Sequence, residues 1–240
     1  MTRSLPNSAK MFVGAVTAVS LVPVISGGLR WQSHNLLPML SLLAVTVLTS
    51  KMKVKLPGLT STMSVNLPFL LLAVAKLNLL EASLVAIAAG LAQCLGGNSR
   101  PEPVKVLFSV SNLVNAVAAS YVVFHHVGFE GGSVSVAMWT VAASAMYFLA
   151  NTIPVSAIIA LTQNQKASKV WSDVFLWTFP YYAMGTGAAA IVGSLPTASL
   201  GALLPTALAA YAMYRSYMMF AGRAEGVTAP QRAMAASAGR

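Results

Sequence analysis

Residues 51–69 read "KMKVKLPGLTSTMSVNLPF", and in this stretch a polar start leads directly into an apolar run. Three lysines alternate with apolar residues, a Leu-Pro-Gly turn follows, and then come hydroxyl side chains and one asparagine. Where the lysines lie, and what surrounds the hydroxyl groups, decides how the rest of the chain folds.

The composition predicts a protein covered by lipid. Of the 240 residues, 57% are hydrophobic and only 8% are charged, whereas soluble domains carry about 25% charged residues. So few charges cannot cover a water-facing surface, so we expect membrane lipid as the main partner. A net charge of +10 can indicate nucleic acid. Here, however, the basic residues lie singly between apolar runs, as topology determinants do, so we expect no nucleic-acid partner.

The chain contains eight apolar runs, at residues 11–26, 36–50, 64–75, 79–95, 106–127, 134–161, 170–194 and 200–220. Most of them approach the roughly 20 residues that a spanning helix needs. We therefore predict an all-α, polytopic membrane bundle of about eight transmembrane helices, forming a single domain over residues 1–220. Residues 221–240 are rich in alanine, glycine and arginine, which predicts a short flexible basic tail in the cytoplasm.

The distribution of basic residues predicts the orientation of these helices. With the N-terminus in the cytoplasm and all eight runs crossing, thirteen lysines and arginines are cytoplasmic, and only Arg30 and Lys76 are outside. If the short third run failed to cross, the eight basic residues from Arg100 onward would move outside and the bias would vanish. The positive-inside rule therefore predicts cytoplasmic termini and cytoplasmic lysines in the opening stretch.

The third run is too short to cross by its apolar residues alone. Residues 67–75 would rise only about 14 Å as a helix, against a hydrocarbon core of about 30 Å. Some of the preceding polar residues must therefore lie at membrane depth: Thr60, Ser61, Thr62, Ser64 and Asn66. They could cap the helix, line a binding cavity at the start of a discontinuous helix, or belong to a simple tilted span.

Local patterns predict helix starts, packing faces and kinks. Asn78 and Glu81 have the spacing of a capping box, so we interpret Glu81 as a cap rather than a catalytic acid. Pro154 and Pro180 lie deep enough in their runs to kink the helices and free a carbonyl group. Small residues at a spacing of four predict close helix packing in two runs: Ala82, Ala86 and Gly90, then Gly185, Ala189 and Gly193.

Five polar residues from three runs are predicted to lie at a common depth: Asn112, Asn115, Asn151, Thr178 and Tyr181. Asn112 and Asn115 share a helix face because they are three residues apart. Amide side chains in hydrocarbon are costly unless they are hydrogen-bonded. The layer therefore either bonds helices to one another or lines a ligand pocket, and these five are the candidate ligand-binding residues.

Signals for catalysis and metal binding are missing from the sequence. It has no glycine-rich phosphate loop, cysteine cluster or H-E-x-x-H motif, and no pair of carboxylates at membrane depth that would suggest a proton pump. We therefore expect no enzyme activity, no catalytic residue and no cofactor. His34, His125, His126 and Glu130 share the predicted outer side, but their spacing does not impose tetrahedral geometry, so we predict no metal site.

Several phrases resemble the multi-helix N-terminal membrane region of bacterial cyclic-di-GMP signalling proteins of the HD-GYP and GGDEF type. They are "KVKLPGLTSTMSVNLPFLL" (53–71), "LLEASLVAIAAGLAQ" (79–93), "PVKVLFSVSNLVNAVAAS" (103–120), "YFLANTIPVSA" (147–157) and "VWSDVFLWTFPYY" (170–182). The resemblance implies a sensor or input module in the bacterial inner membrane. No output domain of either type follows Phe220, so we expect the output to pass through a partner.

Three functions are compatible with the sequence. The first is a multi-pass sensor module that binds a small ligand or a membrane or cytoplasmic partner protein. The second is a small-solute-binding component of a transporter, similar in size and hydrophobicity to the substrate-binding subunits of energy-coupling-factor systems. The third is an accessory subunit of a larger membrane complex.

The predicted topology can be tested by cysteine labelling in a Cys94→Ala background. Cysteines that replace Ser99 and Ser168 should react only with membrane-permeant reagents, because the basic residues place them in the cytoplasm. A cysteine that replaces Ser133 should react with an impermeant reagent added outside. Labelling of position 99 from outside would contradict the crossing of the third run.

Overall fold

A computed structural model describes residues 5–31, 36–55, 62–96, 102–126, 133–175, 178–194 and Tyr211. Eight α-helices form in these ranges: α1 (Asn7–Leu29), α2 (Leu36–Ser50), α3 (Leu67–Lys76), α4 (Leu79–Leu95), α5 (Pro103–His126), α6 (Ser133–Gln163), α7 (Ala167–Val170) and α8 (Phe179–Ser194). A π-helical turn (Trp171–Phe175) continues α7. Among the described residues, α1, α5 and α6 are long and apolar enough to cross a membrane, and α2, α3, α4 and α8 are shorter apolar helices.

The helical class is confirmed, with one addition between α2 and α3. There, strands β1 (Lys53–Lys55) and β2 (Thr62–Ser64) form an antiparallel hairpin in which Lys53 pairs with Ser64. This pairing provides partners for backbone groups that a loop would leave open. Most of the eighth run and the predicted tail at 221–240 lie outside the described residues.

Helix α3 is the centre of the bundle. All residues from Leu67 to Val74 are buried, and the helix packs against α2, α4, α5, α6 and α8. A helix that is apolar on every side needs protein or lipid all around it, and here the surrounding helices provide the cover. With 10 residues, α3 is about 15 Å long, half the thickness of the hydrocarbon core.

The helices alternate in direction. At one end of the bundle, Lys76 Nζ at the end of α3 donates to the carbonyl of Gly193 at the end of α8, at 3.1 Å. His125 Nε2 at the end of α5 lies 2.8 Å from the carbonyl oxygen of Val74. Helices α3, α5 and α8 therefore run parallel and end together, close to where α4 begins.

The basic residues follow this arrangement. Arg30 and Lys76 lie at the end of the bundle where α3 finishes. At the other end, where α3 starts, lie the lysines whose side chains are described: Lys10, Lys51, Lys53, Lys105, Lys166 and Lys169. The two ends of the bundle therefore differ strongly in positive charge.

The predicted cap and close-packing faces are confirmed. The amide N–H of Glu81 donates to Asn78 Oδ1 at 2.9 Å, and the amide N–H of Asn78 donates to Glu81 Oε2 at 3.3 Å. Ala82, Ala86 and Ala189 are buried. A Cβ on Gly90 would lie 3.1 Å from Val110 Cα, so the absent side chain lets α4 approach α5.

The seventh run differs from its prediction. It does not form one helix with a kink at Pro180, because α7 and the π-helical turn end at Phe175 and α8 begins at Phe179. Pro180 lies in the first turn of α8, where proline breaks no helical hydrogen bond. Pro154, by contrast, lies inside α6 as predicted.

The packing of α1 on α4 gives a test with a matched control. A Cβ on Gly27 would lie 2.9 Å from the backbone nitrogen of Leu80, whereas a Cβ on Gly28 would meet nothing within 4 Å. We expect Gly27→Ala to lower the free energy of unfolding by about 1–3 kcal/mol because two backbones must separate. Gly28→Ala should leave it unchanged or raise it. Equal effects in detergent unfolding would contradict this contact.

Candidate functional site: a polar cavity at the start of the central helix

A cavity of about 440 Å³ lies at the end of the bundle where α3, α5 and α8 begin and α4 and α6 end. This volume falls within the range of small-molecule pockets. Its walls combine apolar and aromatic side chains with many polar ones: Ser64, Asn66, Gln93, Ser109, Asn112, Asn151, Gln163, Gln165, Asp173, Thr178, Tyr147 and Tyr182. Polar groups at membrane depth are tolerated where they line a cavity, so this cavity is the candidate functional site.

The start of α3 is fixed by a side-chain hydrogen bond and not by a helix cap. Ser50 Oγ, at the end of α2, donates to the carbonyl of Thr46 at 2.6 Å and accepts from Asn66 Nδ2 at 2.9 Å. Both Ser50 and Asn66 are buried. The Asn66 side chain makes no capping hydrogen bond to α3, so this bond anchors the polar start of α3 to α2 beside the cavity.

A relay of hydrogen bonds joins α5, α6 and α8 across the cavity wall. Asn112 Nδ2 donates to both the backbone carbonyl and the side-chain Oδ1 of Asn151, at 3.0 and 2.9 Å. Asn151 Nδ2 then donates to Tyr182 Oη at 3.0 Å. Asn151 lies three residues before Pro154, so the relay joins the three helices close to the proline inside α6.

One atom of this relay has no hydrogen-bond partner among the described residues. Asn112 is only 2% exposed, and its Oδ1 is buried without a hydrogen bond from any described residue. Both N–H groups of the amide are used by Asn151, so only an acceptor remains. A buried carbonyl oxygen without a donor is costly, and Asn112 is one of the residues that line the cavity.

The end of α6 brings two glutamines to the cavity. Asn164 has φ 54°, a left-handed conformation that asparagine tolerates better than most residues. The amide N–H of Gln165 donates to the carbonyl of Ala160 at 3.1 Å, which is the closing bond of a Schellman motif. This sharp stop leaves Gln163 and Gln165 on the cavity wall.

The π-helical turn forms another wall. Trp171 Nε1 donates to Thr152 Oγ1 of α6 at 2.9 Å, and the Trp171 ring packs against Phe148 with centroids 6.0 Å apart. The turn thereby holds Asp173 and Phe175 along the cavity. Single π-helical turns within α-helical proteins occur frequently at functional sites.

The structure brings three of the five predicted site residues to the cavity. Asn112, Asn151 and Thr178 line it, and the Thr178 hydroxyl donates to the carbonyl of Phe175 at 2.7 Å. Asn115 is placed elsewhere, because its Nδ2 donates to the carbonyl of Val16 on α1 at 2.9 Å. Tyr181 belongs to α8, but its side chain lies outside the described residues.

Sequence reasoning missed other residues that line the cavity. Tyr182, adjacent to the predicted Tyr181, receives the Asn151 hydrogen bond. Asp173 is the only aspartate in the chain, and a carboxylate within an apolar run is itself a signal for a functional site. Three glutamines at or next to helix ends also line the cavity: Gln93, Gln163 and Gln165. Hydropathy gives no signal that would identify such residues as part of a site.

The predicted absence of a metal site stays a prediction. His125 contacts the carbonyl of Val74 and stacks on Tyr121 with ring centroids 4.1 Å apart. The residues that the structure describes contain no group of three histidine, cysteine or acidic side chains that could hold a metal ion. His34, Glu130 and the His126 side chain lie outside those residues.

The relay can be tested with a double-mutant cycle. Asn151→Ala and Tyr182→Phe should show a coupling of about 0.6–1.7 kcal/mol in the free energy of unfolding in detergent, as measured hydrogen bonds between membrane helices do. Asn115→Ala with Tyr182→Phe is the control and should be additive within about 0.5 kcal/mol, since Asn115 bonds to α1. Additivity in both pairs would contradict the relay.

Comparison with known proteins identifies the family of this chain. The family model of MASE9 matches residues 39–221, a range that contains every described residue lining the cavity. No curated protein and no solved structure matches the chain. MASE domains are membrane-associated sensor domains typical of cyclic-di-GMP signalling proteins. The chain therefore belongs to the MASE9 family and is a membrane-associated sensor module.

Proposed function

We propose that this chain is a multi-pass sensor of the bacterial cytoplasmic membrane that binds a small molecule in the cavity at the start of α3. The observation that carries the proposal is the cavity of about 440 Å³ at the polar start of α3, whose lining includes Asn112, Asn151 and Thr178. Polar groups at membrane depth are tolerated where they line a cavity, and a few polar groups in a pocket can fix the orientation of a ligand.

The architecture around the cavity supports ligand binding over a purely structural polar layer. Interhelical bonds explain the two N–H groups of Asn112, but they do not explain its oxygen. They also do not explain why the start of α3 opens onto a cavity instead of packing against another helix. Membership of a sensor family supports this reading over a transporter component or an accessory subunit.

We further propose eight membrane crossings with both termini in the cytoplasm. The six lysines with described side chains at the cavity end of the bundle, against Arg30 and Lys76 at the other, support this orientation. The cavity then faces the cytoplasmic half of the membrane, and its ligand enters from the cytoplasm. The module has no catalytic role of its own, and its output passes to a cytoplasmic domain or protein that makes or degrades cyclic-di-GMP.

A cavity-filling variant tests the proposed site. Ser109 lines the cavity on α5, so Ser109→Phe should fill it, whereas Val122→Phe adds the same ring at an exposed position of α5. Thermal unfolding in phosphatidylcholine nanodiscs would be followed with 2-phenylethylamine, phenylacetate or 2-phenylethanol, which differ in charge but little in size. At least one probe should stabilise the wild type and Val122→Phe but not Ser109→Phe.

Two outcomes would contradict ligand binding in this cavity. One is that none of the three probes stabilises the wild-type protein. The other is that Ser109→Phe responds to a probe as strongly as Val122→Phe does, because binding would then occur elsewhere on the protein or in the lipid.

A further inference from the structure

We infer that a groove between α1 and α5 binds an anionic phospholipid, with one acyl chain along the groove and the phosphate group beside Lys10. The groove has a volume of about 440 Å³. The residues along its walls come from these two helices and include Lys10, Gly14, Ala18, Leu21, Val104 and Leu107. None of the described residues that line the groove also lines the cavity at the start of α3, so this is a second site that does not depend on the ligand proposed above.

The two helices that form the groove are fixed against each other. Val13 lines the groove and packs with Val16 and Phe108 in a buried apolar cluster between α1 and α5. Asn115 Nδ2 of α5 donates to the carbonyl of Val16 at 2.9 Å. The space between the helices remains open because a Cβ on Gly14 would meet nothing within 4 Å. The groove is therefore a stable feature of this surface.

The groove has the position and the length of one leaflet of a bilayer. Helix α1 is long and apolar enough to cross a membrane, yet only 22% of its apolar window is buried inside the protein. From Lys10 to Leu21 the helix rises about 16 Å, which is about half of the 30 Å hydrocarbon core. Lys10 lies at the end of the bundle where α3 starts, so the groove runs from that membrane surface to the middle of the bilayer. Water would find few hydrogen-bond partners on these apolar walls, whereas an acyl chain fits them.

The charges at this end of the bundle favour an anionic headgroup. Lys10 is exposed and is the only charged residue among the described residues that line the groove. Two carboxylates with described side chains lie at the same end. Glu102 is paired with Lys105 at 3.3 Å, and Asp173 belongs to the π-helical turn, which packs on α6 and follows a segment with two lysines. Six lysines with described side chains therefore face two carboxylates, and Lys10 can form a charge-assisted hydrogen bond to a phosphate.

Two protein segments could also cover an apolar groove, and neither complements Lys10. Gly14 and Ala18 have the spacing at which small residues let membrane helices approach each other. A second copy that docked here by twofold symmetry through the same helix face would bring two Lys10 side chains to the same depth, where like charges repel. Residues 200–220 of this chain, which lie outside the described residues except for Tyr211, contain Arg215 and no acidic residue. An anionic phospholipid offers both an apolar chain and the opposite charge.

The test measures phospholipid binding to the full chain in detergent by native mass spectrometry. The probes are palmitoyl-oleoyl phosphatidylglycerol and palmitoyl-oleoyl phosphatidylcholine, which have the same acyl chains and different headgroup charges. The wild type should bind phosphatidylglycerol about fivefold more tightly, as expected for one lysine close to an anionic headgroup. Lys10→Gln should lower this preference to less than about twofold. Lys166→Gln removes an exposed lysine at the same end that does not line the groove, so it should leave the preference unchanged.

A second pair of variants addresses the groove itself. Gly14→Phe should fill it, whereas Gly28→Phe adds the same ring at another open position of α1, at the opposite end of the helix. Gly14→Phe should weaken the binding of phosphatidylglycerol at least about tenfold, because the acyl chain loses its apolar contact surface. Gly28→Phe should leave the affinity unchanged. If Gly14→Phe does not fold, the comparison of Lys10→Gln with Lys166→Gln still decides the question.

Several outcomes would overturn the inference. Equal affinity of the wild type for the two phospholipids would do so, as would a preference that Lys10→Gln leaves unchanged or an affinity that a folded Gly14→Phe protein retains. If the wild type is a dimer and Gly14→Phe makes it a monomer, the groove is an interface between two copies. If Gly14→Phe lowers the unfolding temperature of the lipid-free protein and Gly28→Phe does not, the chain's own residues cover the groove. Both of these results would also show that the phospholipid assignment is wrong.

Discussion

The ten residues of α3 are too few to cross the hydrocarbon layer, and the rest of the structure depends on this constraint. A helix of that length covers about 15 Å of roughly 30 Å, so its polar start must lie inside the protein. Five helices, α2, α4, α5, α6 and α8, pack around α3 and bury it. The hydrogen bond from Asn66 to Ser50 then gives the polar start a partner that lipid cannot provide.

The cavity is a consequence of two interrupted segments that end at the same level. Helix α3 starts late because the hairpin precedes it, and α8 starts late because α7 and the π-helical turn precede it. Since these two helices run parallel and pack together, their starts leave space below them. Longer helices with regular ends would have filled that space with side chains, and no polar site would remain.

The same arrangement links the cavity wall to several helices at once. The hydrogen-bonded relay includes one residue from each of three helices: Asn112 of α5, Asn151 of α6 and Tyr182 of α8. The hydrogen bond of Trp171 connects the π-helical turn to α6. A molecule that binds between these elements changes contacts on all of them, and it does so at the end of the bundle that carries most of the lysines. This is a suitable geometry for a sensor, because a small binding event alters how several helices meet.

Parts of the site could be predicted from sequence because depth in a membrane is a one-dimensional property. Counting residues from the ends of the apolar runs placed Asn112 and Asn151 at similar depth, and they are hydrogen-bonded. The same count could not separate Asn112 from Asn115, because a rotation of α5 decides which neighbour each side chain meets. It also selected Tyr181, whereas Tyr182 receives the relay, since the start of α8 depends on a helix break that hydropathy does not record.

The sequence alone determined the membrane class, the asymmetry of positive charge and the Asn78–Glu81 cap, because transfer free energies and local hydrogen bonds depend on composition and on neighbours along the chain. Only the tertiary structure decided that Asp173, Gln165 and Tyr182 share one cavity with Asn112. It also decided that one oxygen of Asn112 has no partner within the described chain. The physical reason is that helix rotation, helix breaks and the burial of α3 follow from packing among many side chains, and no single segment contains that information.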